Sequence, residues 1–222
     1  MQAKELEGAR LAFSMAASLV YGEPDAAMLE RCLMPGLFEE SPFGEGDADV
    51  SEGLAAMATW CDEMRGCADR DGGLAALRDD WFQLFAGPGE PAAPAWAGYY
   101  MATNSQILSE ESLAVRRIYA CHGFEPMRKN REPDDDLGIM LGFLGQLASE
   151  AAAAEVSGDD GPGRRALDDA RVLLGRHILP WSGVWRERVV AKARTLFYRG
   201  VGDFVFGLVY SYAEGLGTKE TR

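Results

Sequence analysis

The side chains that most often carry catalysis are sparse in this sequence. The chain has two histidines, His122 and His177, and neither is followed by a second histidine or cysteine three or four residues later. A zinc site needs three or four convergent ligands, and the five residues between Cys61 and Cys67 would place those thiols on different faces of a helix. The sequence also contains no serine-hydrolase, Walker or dinucleotide-binding motif. It therefore predicts no catalytic residue and no bound metal.

One acidic cluster could still offer hard oxygen ligands to Mg²⁺ or Ca²⁺. It comprises Glu132, Asp134, Asp135 and Asp136. The cluster lacks the alternating ligands, central glycine and distal glutamate of an EF-hand. Acids just before an apolar run are also typical of a helix start, where they complement the positive end of the helix dipole. We expect Asp134 to be the N-cap of that helix, and a metal-dependent helical enzyme is an alternative interpretation.

A second segment joins the end of a helix to a stiff loop between aromatic residues. Trp81, Leu84 and Phe85 follow helical spacing, and the Gly- and Pro-rich run 87–94 then ends the helix before Trp96. Aromatic residues at helical spacing usually belong to a core. A preformed apolar loop would, however, also lower the ordering cost of binding a peptide. Both interpretations stay open at this point.

The elements that must position these residues are helical. Apolar stripes at the i, i+3, i+4, i+7 rhythm run through residues 6–20, 74–85, 137–147 and, more weakly, 167–174. The apolar run 201–210 lies between helical patterns and is predicted as a buried helix, since alternating β-branched runs are nearly absent. We therefore expect an all-α protein of about nine helices. It should form a single globular domain over residues 1–222, with a subdivision near 125–133 as an option.

Turn signals separate these helices. Gly22 ends the first helix, and Asp25 is a predicted N-cap of the second. Residues 35–49 are rich in glycine, proline and acids, so we expect a loop there, before a helix capped by Ser51. Pro180 suits the first turn of a late helix.

The charge of the chain limits its partners and its location. It has 222 residues, with 22 Lys and Arg against 35 Asp and Glu, and a formal net charge of −13. That charge disfavours nucleic acid and anionic membranes, and favours a basic partner, although it also maintains solubility. The N-terminal sequence lacks a signal-peptide pattern, no uninterrupted apolar run approaches 18 residues, and four scattered cysteines fit reduced thiols. We expect a cytoplasmic protein without nucleic acid and without stable membrane insertion.

Three stretches, in the same order along the chain, resemble signatures of the TorD/DmsD family. The first resembles the family's aromatic, Leu-Phe, Gly-Pro and Pro-rich Trp turn, and comprises Trp81, Leu84, Phe85, Gly87, Pro88, Pro94, Trp96 and Tyr100. The second resembles the motif Glu-Pro-x-Asp-His-Leu, and comprises Glu132, Pro133, Asp135 and Asp136. The third is similar to a late His-x-x-Pro-Trp junction, and comprises His177 and Trp181. The chain departs from the family at Ala95, Ala97 and Asp136, where proline, glutamate and histidine are usual.

The resemblance implies a TorD-like helical fold and a binding function rather than an enzymatic one. Members of the family bind the twin-arginine leader of a molybdopterin oxidoreductase, hold back its export and assist cofactor insertion. The expected partners are therefore the catalytic subunit of such an enzyme and its leader peptide, with the three stretches as the peptide- and client-binding site. We expect Asp135 and Asp136 to engage the arginines, and the aromatic stretch to receive the apolar part of the leader.

Other possibilities stay open. An assembly factor of the nitrate-reductase type, serving a molybdoenzyme subunit without an exported leader, fits the same residues. No cofactor is expected from the residues themselves; the resemblance allows a guanine nucleotide, but the Gly87-Pro88-Gly89 run lacks the features of a phosphate loop. We expect a monomer or a homodimer.

Overall fold

Ten α-helices follow one another in the part of the chain that the computed structural model describes, residues 1–101, 110–126 and 132–218. In chain order they are α1 (Ala3–Tyr21), α2 (Ala26–Cys32), α3 (Ala48–Gly66), α4 (Arg70–Trp81), α5 (Ala97–Met101), α6 (Glu110–Cys121), α7 (Leu137–Ser157), α8 (Asp160–Val172), α9 (Leu179–Lys192) and α10 (Leu196–Gly215). A π-helical turn, Phe82–Ala86, continues α4, and another, Leu173–Ile178, joins α8 to α9. The described residues thus form nine separate helical segments, and the predicted all-α class is confirmed.

The core runs through all ten helices. In it α7 packs between α1 and α8, while α10 packs against α3 and α9. Aromatic contacts tie these layers together: Phe13 of α1 lies edge-on to Tyr212 of α10, with ring centroids 5.0 Å apart. The predicted division near 125–133 falls largely on 127–131, which lie outside the described residues, so the domain prediction stays a prediction.

The central helix, α7, is apolar over most of its length, and most of its side chains are buried. Among the described residues it is the one helix long and apolar enough, by length and composition alone, to cross a membrane, and 72% of its most apolar window is buried inside the protein. Its apolar character is thus that of a core helix. Gly158 ends α7 in the left-handed conformation, with φ of 73°.

Polar side chains cap several of the helix starts, and the cap predicted at Ser51 is misplaced. Asp25 caps α2 as predicted, accepting the amide of Met28 at 2.6 Å. The prediction that Ser51 caps the next helix is wrong, because Asp47 accepts the amide of Val50 at 3.2 Å and α3 begins before Ser51. The Ser51 hydroxyl donates back to the Asp47 carbonyl within the helix.

Candidate peptide-binding site

The Trp-bearing loop is held by backbone hydrogen bonds to the end of α4. The carbonyls at a helix end have no intrahelical partner, and here the loop supplies one. The amide of Ala92 donates to the Gln83 carbonyl at 2.9 Å, and the amide of Ala93 donates to the Leu84 carbonyl at 2.8 Å. The side chains of Leu84 and Phe85 are buried in the core. They support the loop from inside, so the loop is a fixed platform.

Two distant motifs meet at the end of this loop. Trp96 and Asp136 form an isolated antiparallel bridge, in which the Leu137 amide donates to the Ala95 carbonyl at 2.7 Å and the Ala97 amide donates to the Asp135 carbonyl at 3.1 Å. The structure therefore brings the aromatic turn and the acidic opening of α7 side by side, as the site predicted from the sequence requires.

Asp135 strengthens this junction and does not face solvent. It is 1% exposed, and its Oδ2 accepts the backbone amide of Gly98 at 2.6 Å. Burial raises the pKa of Asp135, although that hydrogen bond opposes the rise. Because its carboxylate is already engaged inside the protein, Asp135 positions the turn in this structure and is not displayed to an incoming arginine.

Asp134 is part of a second internal network. Its carboxylate pairs with Arg116 of α6 at 2.6 Å and so does not cap α7. Its backbone amide donates to the Ser112 hydroxyl at 3.1 Å, and its carbonyl accepts the Tyr119 hydroxyl at 2.9 Å. The prediction that Asp134 caps α7 is therefore wrong. Asp136 holds that position, accepting the Ile139 amide at 3.1 Å.

The carboxyl of Asp136 lies in an environment that disfavours its negative charge. The residue is partly exposed, and burial of its carboxyl, together with the neighbouring charge of Glu132, raises its pKa to about 7 despite the capping bonds that oppose the rise. Glu132 is also partly exposed and accepts the Tyr21 hydroxyl at 2.6 Å. An arriving cation would relieve the cost of ionising Asp136 at neutral pH.

Aromatic rings support the turn from the side of α9. Tyr100 stacks on Trp181, with centroids 4.9 Å apart and planes 14° apart, and the indole N–H of Trp181 donates to the His177 carbonyl at 2.5 Å. Trp181 and His177 are buried. The indole of Trp81 is tied to α1 by a hydrogen bond to the Val20 carbonyl at 2.9 Å.

Burial divides the predicted site residues into two groups. The buried group comprises Leu84, Phe85, Pro94, Asp135, His177 and Trp181. The partly or fully exposed group comprises Trp81, Gly87, Pro88, Trp96, Tyr100, Glu132, Pro133 and Asp136. The second group is the surface that a partner can reach without unfolding the turn. The first group sets its shape.

Several residues of this region were not predicted from the sequence. Arg188 of α9 donates to the Tyr99 hydroxyl at 3.0 Å, and Tyr21 and Arg116 hold two of the acids. The aromatic flank of the Trp turn was a signal for Tyr99. Nothing in local spacing pointed to Arg188 or Tyr21, because both reach the site from distant segments.

The acidic cluster does not converge on one point. Within the ranges that the structure describes, no group of three or more His, Cys, Asp or Glu side chains is placed to hold a metal ion. Asp134 faces Arg116, Asp135 faces the Gly98 amide and Asp136 faces the first turn of α7. This divergence gives no support to the alternative of a metal-dependent enzyme.

The described residues form an all-helical fold in which an aromatic turn is fixed beside an acidic helix opening. The sequence matches the family described as "Nitrate reductase delta subunit" over residues 45–187. That match covers more than half of the chain and every predicted site residue, so the protein belongs to this family. The predicted relationship to TorD/DmsD proteins is confirmed by the curated relatives.

These relatives are named as chaperones. The chain is 25% identical over 128 residues to "Tat proofreading chaperone DmsD" of Salmonella paratyphi A, covering 58% of this chain and 56% of the relative. It is 28% identical over 158 residues to "Chaperone protein TorD" of Vibrio cholerae serotype O1, covering 71% of this chain and 66% of the relative. It is 22% identical over 125 residues to "Probable Tat proofreading chaperone DmsD" of Haemophilus influenzae, covering 56% and 54%. The chain thus spans little more than half the length of these DmsD relatives.

Proposed function

We propose that this protein is a cytoplasmic chaperone that binds the twin-arginine leader of a molybdopterin oxidoreductase, holds back its export and assists cofactor insertion. The observation that carries the proposal is Asp136. The residue is partly exposed, burial of its carboxyl raises its pKa to about 7, and its backbone bridges to Trp96. A titratable group kept in a strained state next to a half-exposed aromatic ring is a common sign of a functional site.

The chemistry of a leader arginine suits this arrangement. A guanidinium donates two parallel hydrogen bonds to a carboxylate, which a lysine ammonium does not do. Asp136 and Glu132 would share the arriving positive charge, while Trp96 offers an apolar face to the neighbouring part of the leader. The net charge of −13 would attract a basic segment at longer range.

The substitution at position 136 fits the same function. The family motif that this stretch resembles has histidine at that position, and histidine titrates near 6.5. The pKa of Asp136, raised to about 7, lies close to that value. The charge change differs, because aspartate goes from neutral to negative where histidine goes from positive to neutral. We propose that this chain has a site more attractive to a cation above neutral pH than the histidine-bearing motif would give.

A peptide titration tests the proposal. A synthetic leader with two consecutive arginines before an apolar segment should bind at pH 8 and low salt, and replacing both arginines by glutamine should weaken binding ~10- to 100-fold, since a charge-assisted hydrogen bond contributes about 1.5–3 kcal/mol. Replacement by lysine should give an intermediate affinity. Isothermal titration calorimetry measures all three.

The same titration separates the proposal from non-specific attraction. Binding of the arginine leader should fall on Trp96→Ala and weaken as salt rises. Equal affinities for the arginine, lysine and glutamine peptides at moderate salt would reject the leader proposal.

A second candidate follows from the family description itself. The description "Nitrate reductase delta subunit" names a reductase, and we propose as the second candidate an assembly chaperone for a molybdoenzyme subunit without an exported leader. The two functions differ in the part of the client that is bound. Co-purification of a tagged chaperone with a client whose leader is deleted would persist for an assembly factor, and would be lost for a leader-dependent one.

A further inference from the structure

The guanidinium of Arg188 already lies in a wedge formed by the rings of Tyr99 and Tyr100, beside the proposed site. The guanidinium carbon of Arg188 lies 5.1 Å from the centroid of the Tyr99 ring and 5.7 Å from that of Tyr100. One of its nitrogens donates to the Tyr99 hydroxyl at 3.0 Å, and that hydroxyl is hydrogen-bonded in turn to the carboxylate of Glu90. A cation near two ring faces, with an acid behind one of them, is the arrangement that recognises guanidinium groups.

The wedge is fixed by its surroundings. The Tyr99 and Tyr100 rings meet at 77° with centroids 4.9 Å apart, and Tyr100 is stacked on the buried Trp181. These contacts hold the two rings in their relative orientation, whether or not Arg188 lies between them and solvent. Arg188 is only half-buried, so its guanidinium can leave the wedge by rotating about side-chain bonds.

The wedge also lies next to the proposed leader site. The Tyr99 ring is 6.0 Å from the Trp96 ring, and Trp96 bridges to Asp136 on its other flank. Two consecutive arginines of an extended peptide point to opposite sides of its backbone. One could then reach Asp136 and Glu132 while the other reaches the tyrosines.

We propose that the Tyr99–Tyr100 wedge is a guanidinium-binding pocket that Arg188 occupies in the free protein, and that an arginine of the client displaces it. The identity of the client as an arginine-bearing leader rests on the proposed function above. The pocket itself does not. Arg188 then keeps the wedge filled without a client and lowers the affinity for arginine, because only the fraction of molecules with an open wedge can bind.

The pocket can be tested without any leader. The probe is arginine methyl ester, titrated by tyrosine and tryptophan fluorescence or by NMR into the wild type and into Arg188→Met, with lysine methyl ester as the chemical control. Methionine keeps the length and helix propensity of the side chain. We expect Arg188→Met to bind the arginine ester ~5- to 10-fold more tightly than the wild type does, and to prefer it over the lysine ester.

Two further variants make the result specific. Lys192→Met removes the same unit of positive charge from an exposed position on the same helix, and should leave ester binding as in the wild type. Adding Tyr99→Leu to Arg188→Met should abolish the gain, because one ring of the wedge is lost. If Arg188→Met does not fold, Arg188→Lys replaces it, with an expected gain of ~2-fold, since an ammonium fills the wedge less well.

The outcomes distinguish this proposal from the proposed function. Equal arginine-ester affinities for the wild type, Arg188→Met and Lys192→Met would overturn the pocket, even if the leader peptide binds. A gain in Arg188→Met that Tyr99→Leu removes would support the pocket, and would do so even if no leader peptide binds either protein.

Discussion

Asp136→Asn should make the protein more stable at pH 8 while weakening its binding to an arginine leader at least ~10-fold. Asparagine is as good an N-cap as aspartate, so the bond to the Ile139 amide can be kept. The variant no longer has to ionise a partly buried carboxyl beside Glu132. It also loses the negative charge that would hold the guanidinium.

The pH dependence of stability follows from linkage. The pKa of Asp136 is raised to about 7 in the folded protein, above its value of roughly 3.9 in an unfolded chain. The folded state therefore holds the proton more tightly, and the wild type loses stability as the pH rises towards about 7. The free energy of unfolding of Asp136→Asn should exceed that of the wild type by ~2 kcal/mol more at pH 8 than at pH 5, allowing for the partial exposure of the residue.

Urea denaturation at the two pH values measures this difference. Asp25→Asn is the matched control, since Asp25 is an exposed N-cap of α2 that accepts the Met28 amide in the same way. Its difference from the wild type should stay constant between pH 5 and pH 8. A constant difference for Asp136→Asn as well would show that Asp136 carries no electrostatic strain.

Gly53→Ala should be the most destabilising conservative substitution that we predict, costing ~3 kcal/mol or more of unfolding free energy. A Cβ at Gly53 of α3 would lie 2.4 Å from the backbone nitrogen of Phe204 and 2.6 Å from the carbonyl oxygen of Gly200, both in α10. Backbone atoms of a packed helix cannot rotate away, so α3 and α10 would have to separate. The improved helix propensity of alanine recovers only about 1 kcal/mol.

Gly66→Ala on the same helix is the control for this prediction. A Cβ at Gly66 has no heavy atom from outside its own segment within 4 Å, so alanine there should be neutral or stabilising by up to about 1 kcal/mol. Equal stabilities of Gly53→Ala and Gly66→Ala in urea would contradict the close approach of α3 and α10.

Local sequence patterns were sufficient to predict the all-helical class and the position of several helices. The stripe over residues 6–20 predicts α1 (Ala3–Tyr21), and the cap at Asp25 is where the sequence placed it. These features depend on neighbours within one or two helical turns. The N-cap of α3 was predicted at Ser51 and lies at Asp47. The position of Asp47 depends on the preceding loop and on a hydrogen bond that it accepts from the Ser211 hydroxyl, far along the chain.

The candidate site could be predicted only in part, for a similar reason. Motif order indicated that Trp96 and Asp136 belong to one site, and their backbones do meet. Periodicity could not distinguish Asp134 from Asp136 as the cap, since the choice depends on the ion pair with Arg116. It also could not show that Leu84 and Phe85 point into the core, because an apolar stripe has the same spacing in a groove and in a core.

Proton release on binding is the most direct test of the acidic helix opening as the arginine site. At pH 7 the Asp136 carboxyl, with its pKa raised to about 7, is about half protonated, and a guanidinium bound to it would drive that proton off. Calorimetric titration of the arginine leader in two buffers of different ionisation enthalpy should therefore show release of about half a proton by the wild type and almost none by Asp136→Asn. Binding by the wild type without proton release, or equal release by both proteins, would contradict the proposed role of Asp136.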